Sequence, residues 1–203
     1  QSAEDPLLEA VNVAILGNCV DFGTPHDLDL EREVKNASID NLKINHFSVL
    51  KKLMEHPNTQ NVLIVGDNTG EIVFDKIMLE VLLREYPKKN FTYAVRGGPA
   101  INDATIQDAR EVGITDICKV VEGAQCPGVI LEQTTEEFKL AFSQADVILS
   151  KGQGNFESLD DVETDAEVFF LLKTKCPPVA NMFGVPLGSL VLYHRNTTKD
   201  FAA

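Results

Sequence analysis

Residues 61–85 read NVLIVGDNTGEIVFDKIMLEVLLRE, and no other stretch of the chain indicates the fold class so clearly. Its first five residues are mostly apolar and rich in β-branched side chains, which is typical of a buried strand. A polar turn with two glycines follows, and residues 71–85 then carry apolar side chains at helical spacing. The stretch therefore predicts a strand, a turn and a broadly buried helix, which is the repeating unit of an α/β protein.

The same alternation of strands and helices continues along the chain. Further helices are predicted at 102–111 and 132–144, and short apolar runs predict strands at 61–65, 91–95, 117–121, 147–149 and 179–183. Such alternation implies a mostly parallel sheet covered on both faces, so we expect a three-layer α/β/α, Rossmann-like domain. A last strand at 189–194 is expected to form a hairpin at the C-terminal edge of the sheet.

Two helices, at 5–17 and 42–56, are expected before this core. An aspartate followed by a proline opens the first helix, and a proline ends the second. The prediction is therefore one domain spanning the whole chain of 203 residues. Within it, residues 1–57 form a helical lead-in and residues 58–203 form the α/β core.

The charge balance restricts the partners that the chain can bind. Its 31 acidic and 18 basic side chains give a formal net charge of −13, which repels a nucleic-acid backbone. No apolar run is long enough to span a membrane, so neither nucleic acid nor a membrane is an expected partner. The four cysteines form neither a Cys-x-x-Cys pair nor a zinc cluster, which favours a reducing, cytoplasmic compartment.

Polar side chains follow two neighbouring strands at the point where each strand ends. Asp67 and Asn68 come directly after the strand at 61–65, and Asp103 follows the strand at 91–95. Because ligands bind outside the carboxyl ends of parallel strands, we expect these side chains to share one site. Carboxylate and amide oxygens suit magnesium or manganese, so one divalent cation is inferred. Helix capping is the structural interpretation of the same three residues.

A glycine-rich stretch, Lys151-Gly152-Gln153-Gly154-Asn155, follows the strand at 147–149. Its glycines allow backbone amides to approach an anion, and its lysine adds positive charge, which suits a phosphate group. A plain turn explains these residues equally well. Lys175 is expected at the end of a helical stretch, where the helix dipole attracts a lysine.

Four motifs together resemble those of one known family. They are Gly17-Asn18-x-x-Asp21-Phe22-Gly23, Gly66-Asp67-Asn68-x-Gly70-Glu71, Gly97-Gly98-Pro99-x-x-Asn102-Asp103-Ala104 and Lys151-Gly152-x-Gly154-Asn155-x-Glu157. Their order and spacing are similar to the stand-alone microbial-type branch of the damage-control phosphatases, also called domain of unknown function 89. Four linked motifs are far more specific than any single one.

This resemblance implies a metal-dependent phosphatase acting on phosphomonoesters of small metabolites, such as sugar phosphates, phosphopantetheine-type compounds or damaged phosphometabolites. It implies one divalent metal ion, manganese, cobalt, nickel or magnesium, held by Asp67, Asn68 and Asp103. These three residues and Lys151 are the expected catalytic residues. The residues expected to bind phosphate or line the same cleft are Asn18, Asp21, Glu71, Lys151, Gly152, Gly154, Asn155 and Lys175.

Two alternative functions stay open at this stage. Residues 65–69 distantly resemble the strand-end aspartate motif of haloacid-dehalogenase-like phosphatases, and the chain could also be a non-catalytic module that binds a phosphorylated metabolite. Members of the resembling branch usually carry a further helical N-terminal segment, which is expected to be missing here. The oligomeric state is left open.

Overall fold

A seven-stranded sheet forms the centre of the computed structural model, which describes residues 5–17 and 42–195. The strands are β1 (Leu42–Asn45), β2 (Asn61–Val65), β3 (Asn90–Val95), β4 (Lys119–Glu122), β5 (Val147–Lys151), β6 (Glu167–Lys173) and β7 (Leu190–Arg195). Their order across the sheet is β1-β7-β6-β5-β2-β3-β4. Strands β2 to β6 run parallel, whereas β7 is antiparallel to β6 and parallel to β1. The parallel strands therefore end at a common edge, called the carboxyl edge below; the opposite one is the amino edge.

Helices cover both faces of this sheet. Among the described residues they are α1 (Pro6–Gly17), α2 (Phe47–Glu55), α3 (Ile72–Glu85), α4 (Ile106–Glu111), α5 (Glu136–Gln144), α6 (Gln153–Leu159) and α7 (Pro177–Phe183), with 3-10 turns at Ile114–Asp116 and Leu131–Gln133. Alternate residues of β2 enter separate cores. Val62 and Ile64 share a core with α1 to α4, and Leu63 and Val65 share one with α5 to α7. The three-layer prediction is thereby confirmed. In the part of the chain described, no helix combines the length and apolar character needed to cross a membrane.

The two ends of the sheet differ from the sequence predictions. The helix predicted at 42–56 begins at Phe47, because Leu42–Asn45 form edge strand β1, so the lead-in is not entirely helical. The predicted C-terminal hairpin edge is wrong. Strand β7 lies inside the sheet, between β1 and β6, and α7 separates it from β6 along the chain.

Strand β6 and helix α7 were misread for physical reasons that the structure makes plain. The run EVFFLLK of β6 is buried on nearly every residue, so it lacks the alternation that identifies a half-exposed strand. The segment predicted as a strand at 179–183 belongs to α7, which begins with two prolines and ends at Gly184 in a left-handed conformation. Lys175 consequently follows a strand and not a helix.

The chain changes direction across the sheet between β2 and β5. From β2 it passes through α3 to β3 on one side, and from β5 it passes through α6 to β6 on the other. Since α3 and α6 cover opposite faces, a crevice opens between the carboxyl ends of β2 and β5. Open α/β sheets bind their ligands in such crevices.

Asp5 is expected to stabilise the start of α1. Its Oδ1 accepts the backbone N–H groups of Leu7 and Leu8, at 3.1 and 3.4 Å, and its Oδ2 accepts from Lys51 Nζ of α2 at 2.6 Å. Asp5→Ala removes this cap, so the free energy of unfolding measured by urea denaturation should fall by about 1 kcal/mol.

The Asp5→Asn variant distinguishes the contribution of the helix cap from that of the negative charge. Its amide oxygen can still accept hydrogen bonds from the backbone N–H groups of the helix. It should retain most of the stability that Asp5→Ala loses. The Lys51 hydrogen bond lowers the pKa of Asp5, so the contribution of the charge is present above the ordinary carboxyl pKa. That contribution is lost as the pH falls through the lowered pKa of the folded protein. A stability difference between wild type and Asp5→Asn that persists in acid would contradict this account.

Candidate functional site

Two loops at the carboxyl edge are joined through their main chains. The Ala104 N–H donates to the Asp67 carbonyl at 2.8 Å, and Asn68 and Asp103 form an isolated antiparallel bridge. A second main-chain bond between the loops, also of 2.8 Å, lies beside them. The loop after β2 therefore runs alongside the loop after β3. This arrangement brings together Asp67, Asn68 and Asp103, the three predicted metal ligands.

The Asn68 side chain is held between two carboxylates. Its amide nitrogen donates to Asp67 Oδ2 at 3.2 Å and to Glu71 Oε1 at 2.7 Å. Because these bonds use both amide hydrogens, the amide oxygen is the atom that Asn68 can offer to a ligand. Glu71 was predicted to bind substrate, but its side chain is fully buried and orients Asn68 instead.

Burial and electrostatic repulsion both make the ionised form of the Asp67 carboxylate less favourable. Burial raises the pKa of Asp67 to about 7, and repulsion by Glu71 and Asp103 adds to the rise. Attraction by Lys175 and Lys151 offsets only part of it. Burial also raises the pKa of Asp103. A divalent cation between the carboxylates would relieve this repulsion.

The donor set fits a hard divalent cation, since Asp67, Asn68 and Asp103 all offer oxygen. Within residues 5–17 and 42–195, no group of three or more His, Cys, Asp or Glu side chains is arranged to hold a metal ion. A cation at this position would therefore depend on the Asn68 amide as its third protein ligand. Arg96 Nε donates to Asp103 Oδ2 at 3.0 Å, so Oδ1 is the oxygen that Asp103 presents.

Lys151 lies beneath the site and not on its surface. Its side chain is 0% exposed, and its ammonium donates to Asp75 Oδ1 at 2.5 Å and to Glu71 Oε2 at 3.2 Å. Burial alone would lower the pKa of Lys151, but the two carboxylates outweigh burial and raise it, so the ammonium is charged. The prediction that Lys151 contacts phosphate as a catalytic residue is corrected, because its ammonium is enclosed by carboxylates.

The glycine-rich loop after β5 also makes mainly internal contacts. The Gly152 N–H donates to the Leu171 carbonyl at 3.0 Å as part of the sheet. Asn155 is fully buried, and its amide nitrogen donates to the Gly66 carbonyl at 3.0 Å. Gly152 and Asn155 were predicted to bind phosphate, but these groups are engaged by the fold. For Gly154 the phosphate contact stays a prediction.

Lys175 differs from Lys151 in that it reaches solvent. It lies in the loop after β6, where its backbone N–H donates to Gln153 Oε1 at 2.8 Å. Its charge lowers the pKa of Asp67 against the larger effect of burial. The other two residues predicted to line the cleft, Asn18 and Asp21, lie outside the described residues.

Arg96 is a site residue that the sequence reasoning missed. Besides its bond to Asp103, it donates to the Gly128 carbonyl and, at 3.3 Å, to Asn155 Oδ1. It thereby ties the loops after β3 and β4 to helix α6. A signal was available, because Arg96 occupies the same strand-end position from which Asp67 was identified.

Asp75 and Tyr93 were missed as well. The Tyr93 hydroxyl donates to Asp75 Oδ2 at 2.7 Å, and both side chains are fully buried. Asp75 belongs to the buried face of α3, between Ile72 and Met78, where an acidic residue is unusual. That break in an apolar face was the available signal.

A cavity of about 540 Å³ lies elsewhere, at the amino edge. Its two carboxylates already have partners. Glu167 Oε2 lies 2.6 Å from His194 Nε2, and Asp146 Oδ2 accepts the backbone N–H groups of Gln60 and Asn61 at 2.8 Å each. The cavity is large enough for a small molecule, but its carboxylates are already engaged and do not converge on a ligand as those at the carboxyl edge do.

Comparison with known proteins identifies similar sequences. A family model described as the damage-control phosphatase ARMT1-like domain matches residues 1–191. A damage-control phosphatase of Pyrococcus horikoshii is 43% identical over 185 residues, which cover 90% of this chain and 63% of that protein. A damage-control phosphatase of Archaeoglobus fulgidus is 35% identical over 197 residues, which cover 94% of this chain and 66% of that protein. The chain therefore spans less than two thirds of the length of these curated relatives.

A solved structure has a similar fold. The crystal structure of a DUF89 family protein from Pyrococcus horikoshii matches with a TM-score of 0.84 at 38% sequence identity. The match covers 96% of this chain and 68% of that chain. The similarity in sequence therefore extends to the three-dimensional arrangement.

Gly152→Ala is expected to destabilise the protein strongly. Gly152 has φ 78° and ψ 161°, a conformation that residues with a Cβ rarely adopt, and a Cβ here would overlap the Asp67 carboxylate. Backbone strain of this kind amounts to about 1–3 kcal/mol, to which the overlap adds. The free energy of unfolding, measured by chemical denaturation, should fall by more than the strain alone.

Gly184→Ala is the matched control. Gly184 also has a positive φ, 64°, but an added Cβ would meet no atom of the described residues within 4 Å. It should therefore lose less stability than Gly152→Ala. Equal losses would show that Gly152 does not lie against Asp67 in solution.

Proposed function

This chain belongs to the damage-control phosphatase ARMT1-like domain family, and we propose on that basis that it is a metal-dependent phosphatase. Its substrates are phosphomonoesters of small metabolites, such as sugar phosphates, phosphopantetheine-type compounds or damaged phosphometabolites. The convergence of Asp67, Asn68 and Asp103 at the carboxyl edge carries the proposal. It places oxygen donors where open α/β sheets bind ligands.

In this proposal Asp67, Asn68 and Asp103 hold one divalent cation, which is manganese, cobalt, nickel or magnesium. The oxygen donors and the mutual repulsion of the two carboxylates support this role. The cation supplies Lewis-acid stabilisation of negative charge on the phosphate. Arg96 contributes by fixing one oxygen of Asp103, so that the other is presented in a constant direction.

The substrate phosphate is proposed to contact Lys175. Its exposure and its electrostatic effect on Asp67 support this assignment. A polar cavity of about 400 Å³ lies at the same edge, beside Gly97 and Gln125, and its volume is that of a small-metabolite site.

The attacking group is either a water molecule or the Asp67 carboxylate. In the first case the water oxygen bonds to phosphorus as the ester oxygen leaves. In the second case Asp67 takes the phosphoryl group and water later cleaves the new bond. Detection of a phosphorylated Asp67 by mass spectrometry after rapid quenching distinguishes the two.

Other features of the chain support the wider proposal. Cys118, Cys126 and Cys176, the three described cysteines, form no disulfide with one another, which supports a reducing, cytoplasmic compartment. The net charge of −13 supports a partner other than nucleic acid. Family membership makes the haloacid-dehalogenase alternative unnecessary.

Asp67→Asn is expected to lower metal-dependent phosphate release by about 100-fold or more, because a ligand change exceeds the loss caused by changing a ligand's supporting partner. The rate is measured with p-nitrophenyl phosphate and Mn²⁺. Asp161→Asn is the control, since Asp161 is an exposed carboxylate in the loop between α6 and β6. It should leave the rate unchanged.

Two results would contradict this proposal. Metal-dependent release that survives Asp67→Asn would refute the assignment of the ligands. No release by the wild-type protein, even at high concentration, would favour a non-catalytic module that binds a phosphorylated metabolite.

Lys175→Ala is expected to raise KM for the aryl phosphate by about tenfold or more, because a hydrogen bond to a charged group contributes about 1.5–3 kcal/mol. The measurement uses saturating Mn²⁺, so that substrate binding alone is tested. Lys139→Ala is the control, since Lys139 lies on α5 and pairs with Glu136 at 2.7 Å. An unchanged KM in Lys175→Ala would exclude Lys175 from the phosphate site.

A further inference from the structure

A continuous chain of hydrogen bonds runs from the interior of the protein to the candidate metal site. The Tyr93 hydroxyl donates to Asp75 at 2.7 Å, and the Lys151 ammonium donates to the other oxygen of Asp75 at 2.5 Å. The same ammonium donates to Glu71 Oε2 at 3.2 Å. Glu71 Oε1 then accepts from the Asn68 amide at 2.7 Å. Each member thus fixes the orientation of the next.

Because these polar groups are buried, a contribution to stability does not explain why they are present. Glu71, Asp75, Tyr93 and Lys151 are each 0% exposed. Removing charged groups from water costs several kcal/mol per ion, and well-packed apolar residues often stabilise a core equally well. The polar groups are better explained by what they orient, which is the side chain of Asn68.

Asp75 determines how Lys151 approaches Glu71. Its short bond holds the ammonium on one side, where Lys151 donates to Oε2 of Glu71 while Oε1 accepts from Asn68. Tyr93 in turn binds the second oxygen of Asp75 and prevents that carboxylate from rotating. A Cβ at Gly66 would overlap the Tyr93 hydroxyl, so the end of β2 packs directly on this phenol.

We propose that Tyr93 and Asp75 are positioning residues of the cation site. Acting through Lys151 and Glu71, they hold the Asn68 amide nitrogen on Glu71 Oε1, so that the amide oxygen is turned toward the cation. This inference rests on the proposed function, because it assumes that Asn68 is a ligand. The role is analogous to the outer partners that orient ligands in metal sites generally.

The test is the affinity of the whole chain for Mn²⁺ alone, measured by isothermal titration calorimetry. Tyr93→Phe is the main variant, because it removes one hydroxyl without changing charge or shape. Its Mn²⁺ affinity should fall by about tenfold, the lower end of the range for such partners. Asp75→Asn should reduce the affinity further, because among the described residues Glu71 is then the ammonium's one remaining carboxylate partner.

Tyr86→Phe is the matched control, since Tyr86 lies at the far end of α3, toward the amino edge. It should bind Mn²⁺ as the wild type does. Thermal melting of each variant establishes that the comparison is made on folded protein. In Tyr93→Phe, added Mn²⁺ should restore kcat toward the wild-type value, which a general loss of packing would not allow.

The outcomes separate this inference from the proposed function. If the wild-type chain binds none of Mn²⁺, Co²⁺, Ni²⁺ and Mg²⁺, the proposed function fails. If the wild type binds Mn²⁺ and Tyr93→Phe binds it with unchanged affinity, the positioning role is overturned while the metal site stands. Equal losses in Tyr93→Phe and Tyr86→Phe would also overturn it.

Discussion

The ion pairs of the buried Lys151 ammonium with Glu71 and Asp75 are the interaction on which the carboxyl edge depends. The two carboxylates have no exposure to solvent, and the Lys151 ammonium, 3.2 Å from Glu71 and 2.5 Å from Asp75, offsets the cost of burying them. Breaking such a buried group by removing one partner destabilises a protein by about 3–5 kcal/mol. Because Glu71 also orients Asn68, the same interaction that allows the charges to be buried also directs a side chain of the candidate metal site.

Lys151 and Lys175 differ in their exposure to solvent. Lys151, at the end of β5, is enclosed and supports the arrangement from below, whereas Lys175, after β6, is exposed. Arg96 adds further support by connecting the loops after β3 and β4 to helix α6. Few polar side chains of the candidate site therefore reach solvent, and a larger number of buried side chains hold them in position.

The strand ends could be predicted from the sequence, but the contacts beneath them could not. Asp67 and Asp103 were found because the carboxyl ends of parallel strands share an edge, which depends only on the order of elements. The burial of Lys151 depends on Asp75, which is 76 residues away in the chain, so no local pattern reveals it. Strand β6 was missed because burial on both faces removes the alternation from which strands are recognised.

The bridge between the loops after β2 and β3 has a consequence for how this scaffold diverges. Main-chain bonds set the spacing of Asp67 and Asp103, so the framework tolerates exchange of the side chains it displays. Substitutions at these two positions change the charges and oxygen donors displayed at this edge while the main-chain bonds between the loops stay as they are. Evolution can therefore explore new chemistry at this edge without first having to rebuild the sheet.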